Sequence, residues 1–347
     1  MSRTMQSLVV QPDGTLELWD VDVPKPQPWQ ALVQIISGGV CGTDNTLVHQ
    51  CFKGVDPDQY PLVIGHESVG RVVEVGDQVV SYQVGDVVML PVVGEPVAND
   101  QVLGSAWGAF SEYGLVDDAA VPGAAEVAPA QSIVPADIDP VLAPVMVTLR
   151  EVLSSIQVSG LPLDAPLCVY GSGPVAMTFT KLLKLLGAED VTVVVRSQAK
   201  AELMSSFGAD RCIDTSVEDL AEAIRTATPD GLGGVVDAVG KPEIINEALG
   251  LIRDRGVVFA YGVPKSNAMQ LDWSAAPYNW TLKFQQMPRK DEEGACHEQV
   301  IQWIREGRLQ LEDFVSAVVP IADAPTYLQQ QYLTGGTQKK IIFKFEH

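Results

Sequence analysis

"CVYGSGPVAMTF", residues 168–179, decides how the second half of this chain is read. An apolar run ends at Tyr170, then Gly171, Gly173 and Ala176 stand in a G-x-G-x-x-A spacing at the start of a helical run. Glycine permits the tight turn and lets backbone amides approach a pyrophosphate, whose charge a helix N-terminus then stabilises. Gly171, Ser172, Gly173, Pro174 and Val175 are therefore expected to hold a dinucleotide.

Outward from this turn the texture repeats. APLCVYG, VTVVVRS, CIDT, GGVVDAVG and GVVFAYGV read as strands, and the stretches between them, the last being EIINEALGLIRD, as helices. Such alternation predicts a parallel sheet covered by helices, a doubly wound α/β domain. Ligands sit at the carboxyl ends of such strands, which places the loops at Asp237–Gly240 and Tyr261–Pro264, with Ala238 and Val263, towards the cofactor. The second strand ends in Arg196 and Ser197, where a carboxylate would receive the ribose diol of NAD. An arginine there pairs with a 2′-phosphate, so NADP is expected, with Lys200 as an accessory charge and NAD as the alternative. Arg196 as a solvated turn residue or an adenine-stacking group is the other reading.

Before Val121 the chain reads as short strands broken by Gly and Pro: ALVQIISGGV, VGRVVEVG, VVSYQVGDVVML and SEYGLV. This is a β-rich domain with loops able to carry a site. VLAPVMVTLREVLSSI then has helical spacing, and a tail after about Trp280 carries a helix at HEQVIQWIREG and a terminal strand KKIIFKFEH. The tail is expected to return to the first domain.

The 44 acidic and 23 basic residues give a net charge of -21, which repels phosphate backbones and anionic lipid, so neither nucleic acid nor membrane is an expected partner. No apolar run reaches the ~18 residues of a membrane span and the N-terminus lacks the apolar stretch of a signal peptide; the expected address is cytoplasmic. The five cysteines show no C-x-x-C spacing, which leaves no zinc-ribbon pattern. Any metal must use mixed ligands.

Two stretches offer them. "GGVCGTDNTLVHQ" carries Cys41, and "PLVIGHESVG" carries His66 and Glu67, 25 and 26 residues later. A thiolate, an imidazole and a carboxylate are a zinc-type set, and three protein ligands leave one position for water or substrate.

At this point the chain resembles the zinc-dependent medium-chain alcohol dehydrogenase superfamily, in its polyol, threonine and glucose dehydrogenase branch. The resemblance rests on C-G-T-D at Cys41–Asp44, G-H-E at Gly65–Glu67, VGDVV at Val84–Val88, GAFSEY at Gly108–Tyr113 and the nucleotide fingerprint. It implies a GroES-like catalytic domain, residues 1–147 and 281–347, around a Rossmann domain, residues 148–280, in a dimer or tetramer acting on a small alcohol or carbonyl compound. It further implies Cys41 and His66 as zinc ligands, Glu67 as a carboxylate that ligates zinc or alternates with water, Thr43 as the hydroxyl that takes the alcohol proton, and Asp44 as support for the site. Three departures stand out: Ala143-Pro144 replaces the Glu-Pro pair of polyol enzymes, Thr46 replaces a relay histidine with His49 off register, and residues 91–110 lack the cysteines of a structural zinc lobe. A single Zn²⁺ is expected. The rival readings are a zinc-free reductase of the quinone or enoyl type and a catalytically silent nucleotide-binding protein.

Overall fold

The computed structural model describes residues 3–264, 268–332 and 339–347. Two compact units emerge: Met1–Arg150 with Arg289–His347, and Glu151–Pro288. The first is β-rich, and the second contains an all-parallel sheet flanked by helices, the α/β combination that the sequence implied.

In the first unit, strands Val315–Pro320, Lys340–Lys344, Gln30–Gly39, Glu67–Val75 and Val87–Met89 lie side by side in that order, with Tyr113–Asp117 also paired to Gln30–Gly39. The tail thus joins the first unit's sheet. Gln30–Gly39 and Glu67–Val75 run antiparallel with Gly39 opposite Glu67. One strand therefore ends where the other begins, which brings residues 41 and 66 together despite 25 positions of separation. Of VVSYQVGDVVML only Val87–Met89 is strand, because Val80 and Val84 face solvent and Gly85, at φ +102°, turns the chain.

The second unit's sheet has the order Arg211–Asp214, Val191–Val195, Leu167–Tyr170, Leu232–Asp237, Ile252–Ala260, Trp280–Phe284. Trp280–Phe284 is its edge strand, so by contacts the unit runs on to Pro288, beyond the expected boundary at residue 280, and it opens at Glu151 rather than 148. That edge strand has no fully buried residue, which explains its faint apolar signal. The helix expected over EIINEALGLIRD stops at Leu249, where Gly250 caps it, and Ile252 already pairs with Leu232.

A buried ionic cluster stiffens the first unit. Arg150 is fully enclosed; its Nη2 donates to Glu293 Oε1 (2.8 Å) and to the Ala130 carbonyl (2.9 Å), and its Nη1 reaches Ser132 Oγ (3.2 Å) and His297 Nδ1 (3.3 Å). Lys290 Nζ closes on Glu293 Oε2 at 2.6 Å, and His297 Nε2 donates to the Ile133 carbonyl at 2.8 Å. His297 must be neutral to accept from Arg150. Burial first, and then the Arg150 charge, hold its pKa below the ordinary value, although the bond to the Ile133 carbonyl, and after it Glu298, pull the other way. The unfolded chain protonates this imidazole near pH ~6.5 while the folded chain resists, so stability present above that pH is lost as pH falls. Between pH 7.5 and 5.5 the wild type should therefore lose more urea resistance than His297→Gln, by at most about 1.4 kcal/mol per pH unit. Parallel slopes would show that the contact carries no proton linkage.

Candidate metal and nucleotide sites

Cys41 ends the extended segment after Gly39 and caps the short helix Gly42–Val48. Asp44, buried in that helix, turns back so that its Oδ2 accepts the Cys41 backbone N–H at 2.8 Å, the carboxylate half of a capping box. The approach of the second strand is fixed by Gly65, at φ +104°, where a Cβ would lie 2.5 Å from Phe110 atoms. No side chain fits there. His66 and Glu67 follow, and the ligand atoms of Cys41, His66 and Glu67 all lie within 4.8 Å of one another.

His66 Nδ1 sits 3.6 Å from Asp44 Oδ1, and both atoms are buried without a hydrogen-bond partner. Burial alone would lower the imidazole pKa, but Asp44, and after it Cys41, hold it well above the ordinary value. A cation taken by Nε2 would polarise Nδ1–H towards Asp44, so these orphaned atoms and the sulfur–nitrogen–oxygen donor set fit a zinc ion.

Glu67 is already engaged. Its Oε1 accepts from Thr148 Oγ1 at 2.9 Å and its Oε2 pairs with Lys340 Nζ, all three residues being buried. Lys340 comes from the terminal strand, whose Ile342 lies opposite Gly39. Burial would lower the pKa of its ammonium; Glu67, with Cys41 and Asp44 behind it, more than reverses that. Gly39 is required beside the pair, since a Cβ there would lie 2.8 Å from Glu67 Oε2. The carboxylate is thus held by a cation of the protein itself.

Of the other residues singled out, Thr43 is half-buried in the first turn of the helix, and its carbonyl accepts from Thr46 Oγ1 at 2.8 Å. His49 is exposed and its Nδ1 lies 2.8 Å from the Asn45 carbonyl. Ala143 is fully buried.

In the second unit, Gly171 takes φ +115° and Gly173 caps helix Pro174–Leu185, with nothing within 4 Å of where its Cβ would stand. Ser172 and Val175 complete the turn. Arg196 is exposed just past strand Val191–Val195, and Ser197 caps the next helix by accepting the Lys200 N–H at 3.4 Å. Neither Arg196 nor Lys200 takes part in an ion pair among the described residues. Asp237 is buried and organises the turn through Ala238: its Oδ1 accepts from the Val239 and Gly240 amides at 2.8 and 2.9 Å, and its backbone carbonyl accepts from Tyr261 and Gly262. The Ala238 and Val263 loops are so stitched at the carboxyl ends of adjacent strands.

Residues 27–125 match the alcohol dehydrogenase GroES-like domain and residues 174–284 the zinc-binding dehydrogenase family. Glucose 1-dehydrogenase 2 of Vulcanisaeta moutnovskia is 31% identical over 261 residues, 72% of each chain. The chain belongs to the zinc-dependent medium-chain alcohol dehydrogenase superfamily. L-threonine 3-dehydrogenase of Pyrococcus furiosus, another member of the polyol, threonine and glucose branch, is 27% identical over 281 residues, 76% of this chain and 77% of its own. The superfamily fold recurs in 2R,3R-butanediol dehydrogenase of Bacillus subtilis, with a TM-score of 0.81, 21% identity, and 98% and 99% of the two chains covered.

Sequence reasoning missed Thr148 and Lys340, the two partners of Glu67. A lysine at the head of the apolar run KIIFKF was the available signal, since a charge in a strand buried on both faces needs a counter-charge. No helix among the described residues is long and apolar enough to cross a membrane.

Proposed function

We propose that this chain is a zinc-dependent, NADP-preferring dehydrogenase of secondary alcohols, of the polyol, sugar or amino-alcohol class, acting in the cytoplasm as a dimer or tetramer. The observation that carries the reading is the convergence of Cys41, His66 and Glu67 with an orphaned Asp44–His66 pair behind them. Cys41 and His66 would hold the metal, and Asp44 would fix the imidazole. Glu67, held by Lys340 and Thr148, completes the set as a ligand or as the neighbour of a ligating water. When bound, zinc supplies Lewis-acid polarisation of the alcohol oxygen, and the nicotinamide accepts hydride. Thr43 would receive the alcohol proton at its hydroxyl.

For the nucleotide, Gly171 to Val175 would cradle the pyrophosphate and Arg196, with Lys200 one helical turn on, the 2′-phosphate. Arg196→Ala should lower kcat/KM for NADP⁺ by roughly 10–100-fold, the worth of a charge-assisted hydrogen bond, and barely alter that for NAD⁺. Equal loss with both would remove Arg196 from phosphate recognition. The reading as a whole is tested with a panel of polyols, aldoses, amino-alcohols and aryl alcohols, zinc and either nucleotide, following reduced-nicotinamide formation. Turnover without metal would point to a zinc-free reductase, and no turnover with any compound to a silent binding protein.

A further inference from the structure

Beside the metal candidates stands a side chain that none of this chemistry uses. Trp107 has φ +65°, a left-handed conformation that is strained for a bulky residue and persists only where neighbours fix it. Here they do. Ala106 N–H donates to the Val63 carbonyl (2.8 Å), Ala109 N–H to Gly65 (2.9 Å), Phe110 N–H to Ile64 (2.9 Å), and Val93 N–H to Trp107 itself (2.7 Å). The strained turn is thus bolted to the segment that delivers His66.

Its product is an aromatic surface. The indole lies 5.2 Å from the His66 ring at a 50° tilt, and Phe52 meets it edge-on at 6.1 Å, both aromatic side chains being only half-buried. The acidic side chains of the donor cluster already have partners within the protein: Asp44 Oδ2 takes the Cys41 amide, and Glu67 pairs with Lys340. A strained backbone holding an apolar wall next to a metal ligand, with both carboxylates of the cluster already partnered, suits an uncharged carbon skeleton with a flat face.

We propose that Trp107, backed by Phe52, determines specificity at this site, selecting secondary alcohols that carry an aryl or carbocyclic ring over zwitterionic amino-alcohols. The proposal rests on the secondary-alcohol dehydrogenase reading above and goes beyond its polyol, sugar and amino-alcohol classes, setting ring-bearing alcohols ahead of them. Trp107 contacts the substrate skeleton and does not take part in proton or hydride movement.

The test is binding of 1-phenylethanol, 2-propanol and L-threonine to zinc-loaded full-length protein saturated with the reduced cofactor, a dead-end complex that needs no turnover. In the wild type 1-phenylethanol should bind most tightly. Trp107→Ala should weaken 1-phenylethanol at least ~10-fold more than 2-propanol, the worth of one aromatic contact plus its buried area. Trp107→Phe should recover most of the difference, which a fold defect would not. Equal weakening of both alcohols, an unchanged ratio, or tightest binding of L-threonine to the wild type overturns the proposal. Failure of the broader reading shows separately, as absence of reduced-nicotinamide formation from every alcohol while the binding order is still measured.

Discussion

Cys41→Ala should abolish alcohol turnover, by at least ~10³-fold in kcat, because Lewis-acid stabilisation of developing charge is worth several kcal/mol at 1.36 kcal/mol per decade. Nucleotide affinity should stay within about twofold, since the Gly171–Val175 turn belongs to the other compact unit. The variant should also fold. Cys41 is half-buried, and the Asp44 carboxylate that caps the helix accepts from its backbone rather than from its sulfur. Metal content measured alongside turnover discriminates: zinc lost with activity fits the assigned ligand, whereas zinc lost with turnover retained would detach the reaction from the metal.

The second large effect is one of stability. Lys340→Met keeps the side chain's length and removes its charge, leaving the Glu67 carboxylate buried with Thr148 as its remaining side-chain partner. Breaking a buried pair by deleting one partner costs about 3–5 kcal/mol, because the surviving charge has already lost its water. The same deletion made together with Glu67→Gln should recover much of that loss. Urea unfolding of the single and double variants measures the difference. A fully stable Lys340→Met protein would show that Glu67 finds compensation elsewhere, and would weaken the account of how this carboxylate is held.

Legibility from the sequence followed physical range. The turn at Gly171–Val175 announced itself because its glycines, strand and helix are contiguous, and local chemistry decides such a motif. Cys41 and His66 were legible through residue type, and the antiparallel register that joins them is what the structure adds. Lys340 signalled a missing counter-charge, but its identity was out of reach because Glu67 lies 273 positions away and only the pairing of the terminal strand with Gln30–Gly39 brings the two together. Arg150 was hidden for the same reason, its counter-charge Glu293 arriving from the returning tail. Trp107 gives no signal in the sequence, since a left-handed tryptophan leaves no trace in composition or periodicity.

The most direct test of the central claim, one catalytic metal held by Cys41 and His66, is titration of chelator-treated protein with zinc while metal content and alcohol-dependent cofactor reduction are read together. Metal-free protein should show negligible turnover, and turnover should return linearly and saturate at one zinc per chain. Full turnover in protein shown to contain no metal would contradict the claim.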